Sequence, residues 1–394
     1  MRRRWPGSGL TWRRPVLAAC VAVLGAATGA SRPALSEPGG LWLGERAGPA
    51  KAQPVAVFGA DDRVSLPAKL QPLRESLGVL FNVRLRTVCT AFCVDAATIG
   101  TAAHCLFKTA DDKPPRLADF WFARNYDQVR DYARIAGHET GAAAQSVMAG
   151  SFALSTAPPI DATKDWAFVR LSRPVCSKGV LEIESASTEQ VVREAKAGKV
   201  FQISYHRDFV QWRPAYSKPC AVARSFAGVD WPTIAADFSA PETLLLHTCD
   251  TGGASSGSPL MMETPSGPKV IGINVGTYVQ SKVLMQNGKV SQRLAADSIA
   301  NTGVASVAFA EQVTAFKAAR LLAGAAALRE VQERLLQGGF YTGPADGTYG
   351  PALKQAVEVF EAAAGLTRTG IVSEDLLSRL RLGAATALPP AKAR

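Results

Sequence analysis

Acidic side chains are missing from the first 36 residues of this 394-residue chain. The stretch opens with Arg2, Arg3, Arg4, Arg13 and Arg14, then runs apolar from 15 to 30 and ends in small residues. That run is too short for a comfortable membrane span, so residues 1–36 read as a cleaved secretory signal. No stable membrane span is expected once it is removed. A lipoprotein signal would end its apolar run at Cys20, and here the run continues. Trp12 and Pro15 fit poorly around the Arg13-Arg14 pair that twin-arginine export would use. An uncleaved anchor remains the alternative.

Basic runs are scarce as well. The net charge is +11, but the six Arg of residues 1–36 leave only +5 for the remainder, scattered and without a basic run beside aromatics. Nucleic acid is therefore not an expected partner. Of seven Cys, one lies in the signal, leaving Cys89, Cys93, Cys105, Cys176, Cys220 and Cys249. There is no Cys-x-x-Cys pair and no His-Glu-x-x-His, so no metal site is indicated and no cofactor is implied. An even number of Cys in an exported chain points to disulfides, although six Cys allow fifteen pairings.

Residues 37–54 are rich in Gly, Pro and Ala and read as a flexible lead-in. From 55 to 320, short apolar or alternating runs such as 78–85, 200–205, 243–247 and 270–275 are broken by Gly, Pro, Asp and Asn. This spacing predicts an all-β sandwich or barrel, closed by an Ala-rich helix from 310 to about 327. Residues 326–382 differ. Leu328, Val331, Leu335 and Leu336 share one face of a helix, a turn-dense loop covers 338–350, a second helix starts at Pro351, and a third starts at Ser373. Residues 383–394 read as a disordered tail.

Three residues carry the chemistry. His104 stands in Thr101-Ala102-Ala103-His104-Cys105, Asp165 opens Asp165-Trp166-Ala167-Phe168-Val169-Arg170-Leu171, and Ser256 opens Ser256-Gly257-Ser258-Pro259. A serine hydroxyl is a poor nucleophile near neutral pH. It needs a His to take its proton and a carboxylate to hold that His in one tautomer. Gly253-Ala254-Ser255-Ser256-Gly257 also fits the Gly-x-Ser-x-Gly elbow of α/β-hydrolases. That fold requires a helix after the elbow and a later His, whereas here Pro259 follows and all four His precede the serine.

In this order and these contexts the residues resemble the trypsin-like serine peptidases, and within them the glutamyl-endopeptidase-like branch. Phe58-Gly59-Ala60-Asp61-Asp62-Arg63-Val64 is similar to the opening segment of that branch, and the resemblance covers about 250 residues. It implies a mostly β, chymotrypsin-like double barrel of six strands each, with the site in the cleft between the barrels. Ser256 would be the nucleophile and His104 the general base and then acid. Asp165 would orient that His, and the N–H groups of Ala254 and Ser256 would receive the oxyanion. The resemblance also pairs Cys89 with Cys105. Cys220 with Cys249 would brace the loops around Ser256, leaving Cys93 with Cys176.

The chain departs from that family in places. Ala254 replaces the usual Gly, and losing an oxyanion donor there would cost about 10²- to 10³-fold in rate. Ser255 replaces the Asp that receives a new N-terminus in the trypsin-like animal enzymes, so no activation of that kind is expected. Asn274 stands where glutamyl endopeptidases place a His that receives the substrate carboxylate, so glutamate preference is not supported. Asp250 is read either as a pocket acid favouring Arg or Lys, or as the cap of a turn with Thr251 and Gly252.

Residues 328–380 resemble the peptidoglycan-binding domain-1 family through Val331-Gln332-Glu333-Arg334-Leu335-Leu336, Pro344-Ala345-Asp346-Gly347-Thr348-Tyr349-Gly350-Pro351 and Ala356-Val357-Glu358-Val359-Phe360. That implies a small all-α three-helix domain. Tyr341 and Tyr349, with Asp346, are candidates for binding wall sugars: the rings stack on sugars if they are exposed, or equally pack under the loop that Asp346 and Gly347 form. The expected protein is an exported serine endopeptidase, periplasmic or secreted, acting on protein or peptide substrates and held at peptidoglycan by its last domain. The rival is a pseudopeptidase serving as a wall-binding adaptor.

Overall fold

The computed structural model describes residues 35–36, 40–42, 56–107, 116–126, 131–210, 213–286 and 289–383. Residues 1–34 of the expected export signal, most of the expected lead-in and the expected tail after Gly383 lie outside the described residues, whereas Leu35 and Ser36, assigned to the signal, form a strand on the second sheet. Three short strands come first: β1 (Leu35–Ser36), β2 (Gly40–Trp42) and β3 (Val64–Ser65). Next come β4 (Leu77–Asn82), β5 (Thr87–Asp95), β6 (Thr98–Thr101), β7 (Phe120–Arg124), β8 (Tyr132–Arg134), β9 (Val147–Ala149) and β10 (Ala167–Arg170). They pair antiparallel in the order β8-β7-β4-β5-β6-β10-β9. A bridge between Ile135 and Leu171 joins the ends of β8 and β10. The Ala136 N–H to Arg170 O and Ser172 N–H to Arg134 O bonds flank it and curl this sheet into a barrel.

The second sheet is built from β11 (Val200–Ser204), β12 (Ala215–Ser217), β13 (Val222–Ala223), β14 (Leu244–His247), β15 (Pro259–Met262), β16 (Lys269–Gln286) and β17 (Lys289–Ala305). Its order is β13-β14-β17-β16-β15-β11-β12-β3, with β1 and β2 paired to the far half of β16. The sheets therefore hold seven and ten strands where six and six were expected, and β1 to β3 supply most of the surplus. The run read as 78–85 stops at Asn82, because the Asn82 side chain accepts the N–H groups of Arg84 and Leu85 and turns the chain. One apolar core, including Leu80, Phe92, Ile99, Phe168, Phe201 and Tyr205, spans both sheets and locks them face to face.

Two helices interrupt the second sheet, α1 (Thr188–Lys196) and α2 (Trp231–Ala236). The Ala-rich helix expected to reach about 327 ends much earlier, as α3 (Ala310–Ala318). Arg170 on β10 donates to the carbonyls of Phe316, Lys317 and Ala319, which closes the helix C-terminus. The chain then runs extended, and Leu321 bridges Ser373 while Leu322 N–H donates to Val372 O. Gly324, at φ +97°, turns it into the final three helices. These are α4 (Ala325–Gln337), α5 (Pro351–Ala363) and α6 (Glu374–Arg381), packed around Leu328, Leu335, Val357 and Phe360. Among the described residues no helix is long and apolar enough to cross a membrane.

Candidate active site

His104 lies in the single turn Ala103–Cys105 that follows β6, and Cys105 is bonded to Cys89 on β5. Asp165 precedes β10, and the register of β10 against β6 pairs Ala167 with Thr101. Two residues back along an antiparallel pair, Asp165 falls beside Ala103 and His104. Its carboxylate, with 0% exposure, accepts the His104 main-chain N–H through Oδ1 at 2.8 Å and faces His104 Nδ1 through Oδ2 at 2.6 Å. An ionised carboxylate only accepts, so Nδ1 carries the ring proton and Nε2 is left as the acceptor.

Ser256 sits on the turn before β15. Thr90 of β5 holds this turn from the other sheet: its N–H donates to Ser256 O at 2.9 Å and its hydroxyl to Ala254 O at 2.8 Å. Gly257 has φ +81°, and a Cβ there would lie 2.2 Å from Thr101 Oγ1 and 2.8 Å from Ala102 N. Only glycine lets the turn approach the strand that leads to His104. Ser256 Oγ donates to Val275 O at 3.1 Å, and among the described residues no hydrogen bond joins it to His104. The turn thus packs against Thr101 and Ala102, just ahead of His104 in the chain.

Ala254 adopts φ +79°, the left-handed conformation its Cβ disfavours. Neither the Ala254 N–H nor the Ser256 N–H has a partner among the described residues, while the neighbouring Ser255 and Gly257 N–H groups are bonded to Gly252 O and Asn274 O. Two unengaged N–H donors beside a serine hydroxyl are what a developing oxyanion needs.

The two candidate specificity residues face other tasks. Asp250 is buried, and its oxygens accept the N–H groups of Phe58 and Asp62 at 3.0 and 2.9 Å. It caps the segment from 56 to 63, neither of the roles expected for it. Beside it, the buried Arg63 guanidinium pairs with Asp61 and Asp208 and packs against Gly252, where a Cβ would lie 2.3 Å from Asp208 Oδ1. Asn274 is also buried, with Nδ2 on Ser255 O at 3.1 Å and Oδ1 facing His247 Nε2 at 3.1 Å. Thr90, His247 and Arg207, whose N–H donates to Gly253 O at 2.8 Å, were not anticipated; each is bonded to distant main chain or to another buried side chain, which leaves no local sequence pattern.

Three disulfides join Cys89 to Cys105, Cys93 to Cys176 and Cys220 to Cys249. Cys89 and Cys105 lie near His104, and Cys220 and Cys249 near His247, but their sulfurs are bonded to each other and offer no thiolate to a metal. In the helical region Tyr341 and Tyr349 take the second of the two roles open to them and pack under the loop. Tyr341 and Tyr349 are each 8% exposed, their hydroxyls donating to Pro344 O and Gly370 O, so their rings belong to the core. Asp346 instead ties down its own loop, accepting from Gln332 Nε2 and Thr348 N–H.

No curated protein matches this sequence. Among solved structures, a Glu endopeptidase in complex with MPD is 15% identical with a TM-score of 0.42, over 66% of this chain and 98% of that one. The protease Anisep from Arthrobacter nicotinovorans is 13% identical with a TM-score of 0.38, over 59% and 90%. Residues 324–380 match the family described as "Putative peptidoglycan binding domain", which covers all three terminal helices.

Proposed function

We propose that the protein is an exported serine endopeptidase that cuts protein or peptide substrates through an acyl-enzyme. The observation that carries this reading is the buried Asp165 carboxylate gripping both the main chain and Nδ1 of His104, opposite a turn that presents Ser256. Ser256 Oγ turns from the Val275 carbonyl to His104 Nε2, gives up its proton there, and attacks the substrate carbonyl. The Ala254 and Ser256 N–H groups receive the oxyanion. His104 then passes its proton to the leaving amine, and water repeats the cycle on the ester. Residues 324–380 supply retention at peptidoglycan, through a surface other than Tyr341 and Tyr349. The Arg-rich, acid-free N-terminus and three disulfides fit an exported chain.

Intact mass after exposure to a fluorophosphonate tests the chemistry, because such probes bond to a serine its own site has activated. A single adduct is expected, absent from Ser256→Ala and much slower to form in His104→Ala. A second reading, a non-catalytic binding protein, draws on the Ser256 hydroxyl being spent on Val275 O and on the strained Ala254. A folded, disulfide-bonded protein that takes no adduct would favour it. Wall retention is tested by sedimenting the full chain with purified sacculi; recovery in the supernatant would remove that part of the reading.

A further inference from the structure

In a trans peptide the C=O and the following N–H point in opposite directions, so anchoring the carbonyl aims the N–H. Gly253 O accepts the Arg207 N–H at 2.8 Å, which fixes the plane that carries the Ala254 N–H. Ser255 O accepts from Asn274 Nδ2 and from the Ser258 N–H, each at 3.1 Å, and the two together fix the plane that carries the Ser256 N–H. The peptide planes that carry the Ala254 and Ser256 N–H groups are thus both held through their carbonyls, as are the two planes that follow them, whose Ala254 and Ser256 carbonyls Thr90 anchors.

Asn274 is spent almost wholly on this turn. Its main chain donates to Ser258 O at 2.9 Å and accepts the Gly257 N–H at 2.8 Å, so it brackets the nucleophile from the C-terminal side. A carbonyl only accepts, so the amide end facing Ser255 O must be the NH₂ group, and Oδ1 must face His247. His247 Nε2, 3.1 Å away, then has to carry a proton. That fits a fully buried imidazole whose pKa is pushed down to about 4 by burial, leaving one proton on the ring. The arrangement needs a side chain that donates at one end and accepts at the other, at a position 2% exposed. Asn meets that requirement; Asp does not.

We propose that Asn274 is a positioning residue for the reaction: its amide, beside the Ser258 N–H, sets the Ser255–Ser256 peptide plane so that the Ser256 N–H faces the oxyanion, and His247 sets the amide. This rests on the peptidase reading above. Neither residue touches substrate.

The test compares fluorophosphonate labelling rates and melting temperatures of Asn274→Ala, Asn274→Asp, His247→Leu and His247→Gln with wild type. Removing the Asn274 donor should slow labelling about 10²-fold, the effect of a lost oxyanion donor. His247→Leu should slow it roughly tenfold, and His247→Gln, whose amide can still donate to Asn274 Oδ1, should recover most of the rate. A merely structural role would lower the melting temperature of both His247 variants without that recovery, and would overturn the proposal. So would an Asn274→Ala or Asn274→Asp protein that folds and labels at the wild-type rate. If wild type takes no label, the peptidase reading fails and the inference is judged by crystal structures of wild type and the folded Asn274 variant. A rotated Ser255–Ser256 plane in the variant supports it, and an unmoved plane overturns it.

Discussion

Ala254 occupies the left-handed region at φ +79°, where a Cβ costs about 1–2 kcal/mol. Ala254→Gly should relieve that strain, partly offset by the larger entropy glycine loses on folding. A net gain of up to about 1 kcal/mol in denaturant unfolding is expected, with labelling no slower than wild type. A less stable or slower Ala254→Gly protein would show that the Ala methyl packs usefully. Gly257→Ala should behave oppositely. At φ +81° with Thr101 Oγ1 2.2 Å from the added atom, the turn must leave β6, so the protein should lose roughly 3 kcal/mol or more and take no label. The pairing of His104 with Asp165 was legible because each sits in its own short context. Thr90 and His247 stayed hidden because their partners lie 164 and 27 residues away. Tyr341 and Tyr349 were undecided between stacking and packing for a related reason: an aromatic in a polar loop shows which it does only once the loop is seen folded over it.

Strands were readable where apolar runs end in a turn former, as at β4, β11 and β14. Helix α1 was missed although its start was written in Ser187, whose side chain accepts the Gln190 N–H. A Ser three residues before a Gln is a helix-start pattern, and it was outweighed by the surrounding strand-like spacing. The early stop of α3 had no local signal, since the Ala-rich run continues and the stop is imposed by Arg170 from β10. Replacing Arg170 with Met should leave those carbonyls without their donor, lower stability by about 2 kcal/mol and speed protease nicking within 319–324. Unchanged nicking would mean the end of α3 is held by other contacts. Opening the Cys89–Cys105 bond as a double Ala variant should cost roughly 3 kcal/mol for its short loop and slow labelling, because that bond ties the His104 turn to β5.

The whole molecule should be sensitive to acid through two histidines it buries. Burial lowers the pKa of His206 to about 3 and of His247 to about 4, against 6.5 for an ordinary His. Arg63 adds to the shift at His206, while Asp208 and Asp61 oppose it. The unfolded chain therefore takes up protons near pH 6.5 that the folded chain refuses, and stability present above pH 6.5 is lost as pH falls toward 4. A His206→Gln protein should show a slope of unfolding free energy on pH in this window shallower by about one proton. An identical slope would mean that His206 titrates alike in both states. At the same scale Phe152 belongs to two cores, its ring 4.7 Å from Phe107 and 6.2 Å from Tyr349 of the terminal helices. Phe107 lies three residues past His104. The terminal helical region and the β-sheet body thus share an aromatic contact a few residues from His104. On the proposed function, such a protein would work as a gauge: fastened to a surface, it would hold Ser256 at one height and one angle, and a target would be chosen by where its cut site stands as much as by which side chains it bears.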